Sequence, residues 1–65
     1  MYQVYKAYSD TFDRQFDTYE DLMAFVTRKA EKMNYGLYRS WEQNGDLYFD
    51  CGPTVYRVRV VKFSA

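Results

Sequence analysis

The sequence is short of several residue types that carry chemistry: its 65 residues include no histidine, one cysteine, one proline and three glycines. Without histidine, the chain lacks the side chain that most often acts as a general base or binds zinc near neutral pH. The three glycines are scattered and form no phosphate-binding loop. The composition therefore predicts a non-enzymatic protein that needs no cofactor and holds no metal.

The single cysteine, Cys51, excludes an internal disulfide and fits a reducing cytosol. It follows Phe49 at strand spacing, with no base apparent beside it. A nucleophilic thiol needs a base and a lowered pKa. We therefore expect Cys51 to be a buried, unreactive side chain.

Neither sign of charge dominates, since nine Lys and Arg balance nine Asp and Glu. Nothing attracts the whole molecule to nucleic acid or to an anionic membrane. The sequence has no apolar run that could span a bilayer, no signal peptide and no lipidation motif. We expect a cytoplasmic protein without membrane association. Met1 opens directly into strand-like sequence, which favours a complete small gene product.

Hydrophobic residues make up 48% of the chain and aromatic residues 22%. This content is enough for one small core, so we predict a single folded domain over residues 1–65. The aromatic load exceeds what so small a core can enclose. Some rings must therefore lie at the surface, where tyrosine is the best tolerated of them.

Leu37 to Phe63 predicts three consecutive antiparallel strands, separated by Asn44-Gly45 and Gly52-Pro53. Asn-Gly between alternating runs is the strongest short-range hairpin signal. The run Thr54–Phe63 alternates, is rich in β-branched residues and is the clearest strand of the chain.

Two registers are open to the first hairpin. A two-residue loop would pair Gln43 with Asp46, whereas a three-residue loop with Gly45 as a left-handed bulge pairs Glu42 with Asp46. A one-residue slip moves every side chain of a strand to the other face, and the bulged register separates apolar from polar residues better. We therefore predict the bulged register. Its inner face carries Leu37, Arg39, Trp41, Leu47, Phe49 and Cys51, and its outer face carries Tyr38, Ser40, Glu42, Asp46, Tyr48 and Asp50.

A tight two-residue turn at Gly52-Pro53 sets the second hairpin. Apolar residues then oppose each other inside, and polar or opposite-charge residues oppose each other outside, which is what cross-strand pairing favours. The predicted pairs are Phe49 with Tyr56 and Leu47 with Val58 on the inner side, and Tyr48 with Arg57 and Asp46 with Arg59 on the outer side.

A helix precedes the meander. Thr18 is the predicted N-cap, Asp21 occupies the third helical position as in a capping box, and Asn34 and Gly36 end the helix. The apolar residues recur at helical spacing. They are Tyr19, Leu22, Met23, Val26, Ala30 and Met33, and Phe25 flanks them.

The N-terminal segment Tyr2–Tyr8 predicts a strand whose pairing partner stays open. Ser9–Asp13 is turn-like. Arg14–Phe16 is either a short return strand that makes an N-terminal hairpin or irregular chain. The predicted fold class is α+β, with one helix packed on one face of a small, mainly antiparallel sheet. The predicted element order is β-α-β-β-β, with or without the extra N-terminal strand.

The outer sheet face is the main candidate site, because antiparallel sheets often leave one face uncovered. Tyrosine and arginine are enriched in protein interfaces. We predict that this face binds another protein, through Tyr38, Tyr48, Asp50, Arg57 and Arg59, with Tyr2, Tyr5, Val55 and Val61 extending the surface. Such a protein would act as a stoichiometric inhibitor or adaptor, of a type that is common in phages and mobile elements.

Three alternatives remain open. The same Tyr/Arg face could stack single-stranded nucleic acid, although the acids beside it would repel phosphates. An acidic segment could imitate the negative charge of nucleic acid toward a basic partner. The same acids do not predict a calcium-binding loop, because their spacing is loose and the segment has no central glycine. The segment comprises Asp10, Asp13, Asp17, Glu20 and Asp21. A homodimer could form through a sheet edge or through the open face.

Overall fold

The computed structural model describes residues 1–62 of the chain; Phe63, the end of the expected last strand, lies outside the described residues. The described residues form five strands and one helix. These elements are β1 (Tyr2–Lys6), β2 (Thr11–Phe16), α1 (Tyr19–Asn34), β3 (Arg39–Gln43), β4 (Asp46–Asp50) and β5 (Val55–Val60). The α+β fold class is therefore confirmed, and the N-terminal hairpin is present.

The five strands make one sheet in the order β2-β1-β5-β4-β3, and every neighbouring pair is antiparallel. β1 pairs with both β2 and β5, which answers the question of where the first strand lies. The predicted turn Ser9–Asp13 is shorter than expected, because β2 begins at Thr11. The last strand of the meander is consequently a central strand, and the sheet edges are β2 and β3.

The helix begins and ends as the sequence predicts. The Thr18 hydroxyl accepts a hydrogen bond from the Asp21 N–H at 3.1 Å, as an N-cap should. At the other end Tyr35 adopts a left-handed conformation with φ 57°, and the Gly36 N–H donates to the Ala30 carbonyl at 2.9 Å.

The core lies between α1 and one face of the sheet. The apolar face of the helix packs on the inward residues of the central strands, which are Val4 of β1, Phe49 of β4 and Tyr56 and Val58 of β5. The buried helix residues are Leu22, Phe25, Val26 and Ala30. The predicted pairs Phe49–Tyr56 and Leu47–Val58 are confirmed.

The predicted bulged register of the first hairpin is wrong. Gln43 pairs with Asp46 across a two-residue loop, and both loop residues have positive φ, 53° at Asn44 and 84° at Gly45. This is the type I′ conformation, whose twist matches that of the flanking strands and for which Asn-Gly is favoured. The turn therefore decided the register, against the segregation of apolar and polar residues.

The corrected register moves every side chain of β3 to the opposite face. Trp41 lies opposite Tyr48, and Arg39 lies opposite Asp50, so both are on the outer face and not in the core. Ser40 and Glu42 lie on the helix side. Leu37, expected inside, is 67% exposed. The predicted inward positions of Leu47, Phe49 and Cys51 are confirmed.

A β-bulge interrupts β2. Val4 of β1 pairs with Arg14, but its neighbour Tyr5 pairs with Phe12, so Asp13 is the extra residue. A bulge shifts the face that the following side chains occupy. Phe16 consequently packs on the core from the helix side, while Phe12, four residues earlier, lies on the outer face.

Candidate binding face

The helix covers one face of the sheet and leaves the other open. On β5, Tyr56 and Val58 point into the core, so Arg57 and Arg59 point away from the helix. The ladder pairs carry this alternation to the neighbouring strands. The open face therefore consists of the outward residues of β5, the residues opposite them on β1 and β4, and the residues opposite those on β2 and β3.

Five residues, one from each strand, lie in a single line across this face. Each member lies directly opposite the next in the sheet ladder. In strand order the line is Phe12, Tyr5, Arg57, Tyr48 and Trp41; we call it the aromatic row. It runs from one edge of the sheet to the other, with four rings and one guanidinium at its centre.

Three of the four neighbouring pairs in the aromatic row are in contact. The Phe12 and Tyr5 rings meet edge to face, with centroids 5.6 Å apart. The Arg57 guanidinium carbon lies 4.5 Å from the centroid of Tyr5, a cation–π distance. At the other end, Trp41 and Tyr48 stack in parallel at 5.4 Å, with an interplanar angle of 4°. These contacts hold flat side chains in fixed positions across the sheet.

Two carboxylates hold the central guanidinium. Arg57 forms an ion pair with Asp10 from the turn before β2, and its Nη1 lies 3.2 Å from Oδ2 of Asp46. The hydrogen bond to Asp10 is the largest cause that raises the pKa of Arg57, and Asp46 adds to it against the opposing effect of burial. Arg57 is therefore a fixed positive group that is already neutralised by its neighbours.

Four of the five predicted site residues lie on the open face. Tyr48, Asp50 and Arg57 are outward on the central strands, and the exposed Arg59 follows on β5. Tyr48 lies opposite Arg57 as predicted. The same register sets Asp46 opposite Arg59, although the Asp46 carboxylate accepts its hydrogen bond from Arg57.

Tyr38 is not on this face. The register error placed it there; its ring lies 6.3 Å from the buried Phe49 on the helix side. Of the residues expected to extend the surface, Tyr5 belongs to the aromatic row, whereas Tyr2 packs on Tyr19 of the helix at 5.9 Å. Val55 lies opposite Asp50 on the open face.

Trp41 and Phe12 are the two members of the row that sequence reasoning did not place on this face. They are 42% and 51% exposed. The Asn44-Gly45 turn carried the signal for Trp41, because a type I′ loop implies the observed register. For Phe12 the sequence carries no comparable signal, since it depends on the bulge at Asp13.

The acidic segment does not form one surface. Asp10 pairs with Arg57 across the sheet, and Asp13 pairs with Arg14 at 3.5 Å. The other three members, Asp17, Glu20 and Asp21, are exposed at the helix entrance. The segment is thus divided between two ion pairs and a helix N-terminus, whose dipole favours acids.

Cys51 is buried within the core, as predicted, and its Sγ lies 3.9 Å from the Val26 carbonyl oxygen. Burial and the nearby Asp50 raise the pKa of this thiol. Within residues 1–62, no cluster of three or more potential metal ligands is present. In the same range, no helix has the length and apolar character needed to cross a membrane.

Comparison with known proteins gives no match. No family model, no curated protein and no solved structure matches this chain. The function of this chain is therefore inferred from the geometry of the open face.

Proposed function

We propose that this protein is a small non-enzymatic protein-binding module, a stoichiometric inhibitor or adaptor that binds another protein with its open sheet face. The observation that carries the proposal is the aromatic row, which spans all five strands on the face that the helix leaves uncovered. A soluble domain gains no stability from exposing its one tryptophan and a phenylalanine, whereas a binding partner would cover them.

The residue types in the row are those that dominate binding energy in protein interfaces. Trp, Tyr and Arg are the most enriched hot-spot residues. The Trp41–Tyr48 stack and the Arg57–Tyr5 contact are formed before any partner arrives. Pre-formed contacts reduce the conformational entropy that binding would otherwise remove. The row is therefore suited to act as a rigid anchor.

The charges around the row favour a protein partner over a polyanion. Arg57 forms ion pairs with Asp10 and Asp46, and Nη2 of Arg39 lies 3.8 Å from Oδ2 of Asp50. These pairs leave the face without a strong potential of either sign. A partner of mixed polarity with an apolar centre fits such a surface, since non-obligate interfaces combine an apolar core with a polar rim.

Single-stranded nucleic acid is the second candidate. Aromatic side chains on a sheet face are stacking platforms for bases, and the exposed Trp41 and Phe12 offer such rings. Against this candidate, the guanidinium groups of Arg57 and Arg39 are already paired with carboxylates, which leaves them little positive charge to attract phosphates. We therefore rank it below protein binding.

The test compares two tyrosine-to-alanine variants on opposite faces of one sheet. Tagged wild-type protein, Tyr48→Ala and Tyr38→Ala are each used to capture partners from lysate of the source cells, and the affinity of any partner found is then measured with purified components. We expect one protein in stoichiometric amount whose affinity falls about 30-fold or more with Tyr48→Ala, as for a hot-spot residue, and changes little with Tyr38→Ala.

Nuclease treatment and a salt series separate the two candidates. A protein partner should survive nuclease and depend weakly on salt. Captured nucleic acid that is lost at raised salt in proportion to the phosphates contacted would put the second candidate first. A complex that tolerates Tyr48→Ala and Trp41→Ala alike would show that the open face is not the binding surface.

A further inference from the structure

We infer that β3 pairs with β3 of a second copy of this chain, joining two sheets into one continuous antiparallel sheet of ten strands. This inference goes beyond the proposed function and does not depend on it, because it concerns the edge of the sheet and not its open face. Three observations support it: β3 is exposed, some of its main-chain N–H and C=O groups have no partner within the sheet, and one register pairs all of these groups.

β3 is the open edge of the sheet. All five of its residues are exposed, and within residues 1–62 it pairs with β4 alone. The opposite edge, β2, carries a β-bulge at Asp13 beside the Asp13–Arg14 ion pair. A bulge is a device that prevents an edge strand from pairing with other chains. β3 has an uninterrupted register over five pairs and no such bulge.

The ladder identifies the free main-chain groups of β3. The type I′ turn makes Gln43 and Asp46 a hydrogen-bonded pair, and such pairs alternate along an antiparallel ladder. Arg39, Trp41 and Gln43 therefore direct their N–H and C=O groups to β4. The second hairpin agrees, because Cys51 bonds the Thr54 carbonyl and the odd-numbered residues of β4 thus bond β5. The N–H and C=O groups of Ser40 and Glu42 point away from the sheet.

One register satisfies all four free groups. If two antiparallel copies of β3 meet about a two-fold axis at Trp41, Ser40 of each copy lies opposite Glu42 of the other. Each Ser40–Glu42 pair then exchanges two main-chain hydrogen bonds, giving four in total, and Trp41 lies opposite Trp41 at a non-hydrogen-bonded position. Side chains that oppose each other share a face, so both helices lie on the same side.

The side chains agree with the same register. Arg39 lies opposite Gln43, and the Ser40 hydroxyl lies opposite the Glu42 carboxylate, so no like charges meet. If the register shifts by two residues so that its centre is Glu42, the two Glu42 carboxylates lie opposite each other, and their like charges destabilise the pairing. A shift the other way pairs Glu42 with Tyr38, which lies outside the strand. The central register also joins the two aromatic rows, tryptophan to tryptophan, into one line across the ten strands.

Disulfide cross-linking tests the register. Arg39→Cys and Gln43→Cys are prepared separately, mixed and oxidised. In the central register the two new thiols lie directly opposite each other, with Cα atoms about 4.5 Å apart, whereas two copies of either variant alone hold them about 13 Å apart. A disulfide needs Cα atoms within about 7 Å. We expect the mixture to cross-link and each variant alone to stay reduced; the native Cys51 is buried and does not compete.

Sedimentation equilibrium of the unmodified chain tests the dimer itself, with two variants of one residue. Ser40→Pro removes an outward N–H without removing a bond to β4, a change that an edge strand tolerates. It should weaken the dimer about tenfold or more, because two main-chain hydrogen bonds are lost, one for each copy. Ser40→Ala keeps the main chain and should leave the dimer intact.

The inference is overturned if the unmodified chain sediments as a monomer up to about 1 mM, a concentration at which even a dimer with a Kd of about 1 mM would be visible. It is also overturned if a dimer forms but the cysteine mixture cross-links no better than each variant alone. Either result leaves the binding of another protein to the open face unaffected, and loss of Tyr48-dependent capture would leave the dimer unaffected.

Discussion

The indole of Trp41 lies parallel to the ring of Tyr48, with centroids 5.4 Å apart and an angle of 4° between the planes. The two residues are direct cross-strand partners on β3 and β4. Trp41 is the one tryptophan of the chain, so its fluorescence reports on this face alone. The stack also shows that β3 follows the register set by its turn.

Tyr48→Ala should expose Trp41 further to solvent and lower the free energy of unfolding by about 0.5–1.5 kcal/mol beyond the loss of buried area, since an aromatic pair is lost. Acrylamide quenching of the tryptophan emission measures the exposure. Tyr38→Ala is the control on the opposite face and should leave the quenching constant unchanged. Stronger quenching with Tyr38→Ala than with Tyr48→Ala would contradict the observed register.

Arg57→Lys should lower the free energy of unfolding by about 1–2 kcal/mol, although it keeps the charge. A lysine lacks the planar fork that bonds Asp10 and Asp46 at once and that stacks on Tyr5. Urea denaturation measures the loss. Arg59→Lys, on the same strand and exposed, is the matched control and should change the stability by less than about 0.5 kcal/mol. An equal loss of unfolding free energy in the two variants would show that the contacts of Arg57 with Asp10, Asp46 and Tyr5 do not stabilise the fold.

Gly45→Ala and Gly52→Ala should both destabilise the protein, and Gly52→Ala should do so more. Both glycines have positive φ, 84° and 92°, where an alanine costs about 1–2 kcal/mol. An added Cβ at Gly45 meets nothing within 4 Å, but at Gly52 it would lie 2.9 Å from Cγ of Asn34. Asn34 is not free to move, because its Nδ2 donates to the Leu37 carbonyl at 2.8 Å.

The glycine comparison isolates a steric clash from backbone strain, since each substitution adds one methyl group in a two-residue turn. Chemical denaturation of both variants gives the two free energies. A cost at Gly45 that equals the cost at Gly52 would mean that the Asn34 contact contributes nothing.

The fold should lose stability in alkaline solution through two buried groups. Burial and then Asp50 raise the pKa of Cys51 above 9.0, and burial, then Asp13 and Cys51, raise the pKa of Tyr56 above 10.0, against a lowering by Arg14. The unfolded chain therefore releases these protons at lower pH than the folded protein does. Their contribution is complete below the ordinary pKa values and is lost as pH rises past them.

Unfolding free energies measured from pH 7 to pH 11 test this expectation. Cys51→Ala should remove the part of the decline that begins near pH 9, at the ordinary value of a thiol, and Tyr56→Phe the part that begins near pH 10. If the double variant declines as steeply as the unmodified protein, Cys51 and Tyr56 do not control the alkaline transition.

The sequence alone determined two kinds of element: those marked by a local motif, and strands that bury one face and expose the other. Thr18 and Asp21 marked the start of the helix through a main-chain hydrogen bond that requires those side chains. Alternation along β5 named Tyr56 and Val58 as inward residues, because a central strand against one helix must segregate its faces. The Gly52-Pro53 turn then placed β4 correctly.

The tertiary structure decided what the alternation of residues could not, namely the two sheet edges and with them both ends of the aromatic row. Both faces of β3 are exposed, so the segregation of apolar residues carries no information there, and the left-handed geometry of Asn44 and Gly45 set the register instead. Phe12 reached the open face through a bulge at Asp13 that no alternation pattern encodes. A strand enclosed by neighbours is specified by its own pattern, whereas an edge strand takes its register from its turn and its one partner.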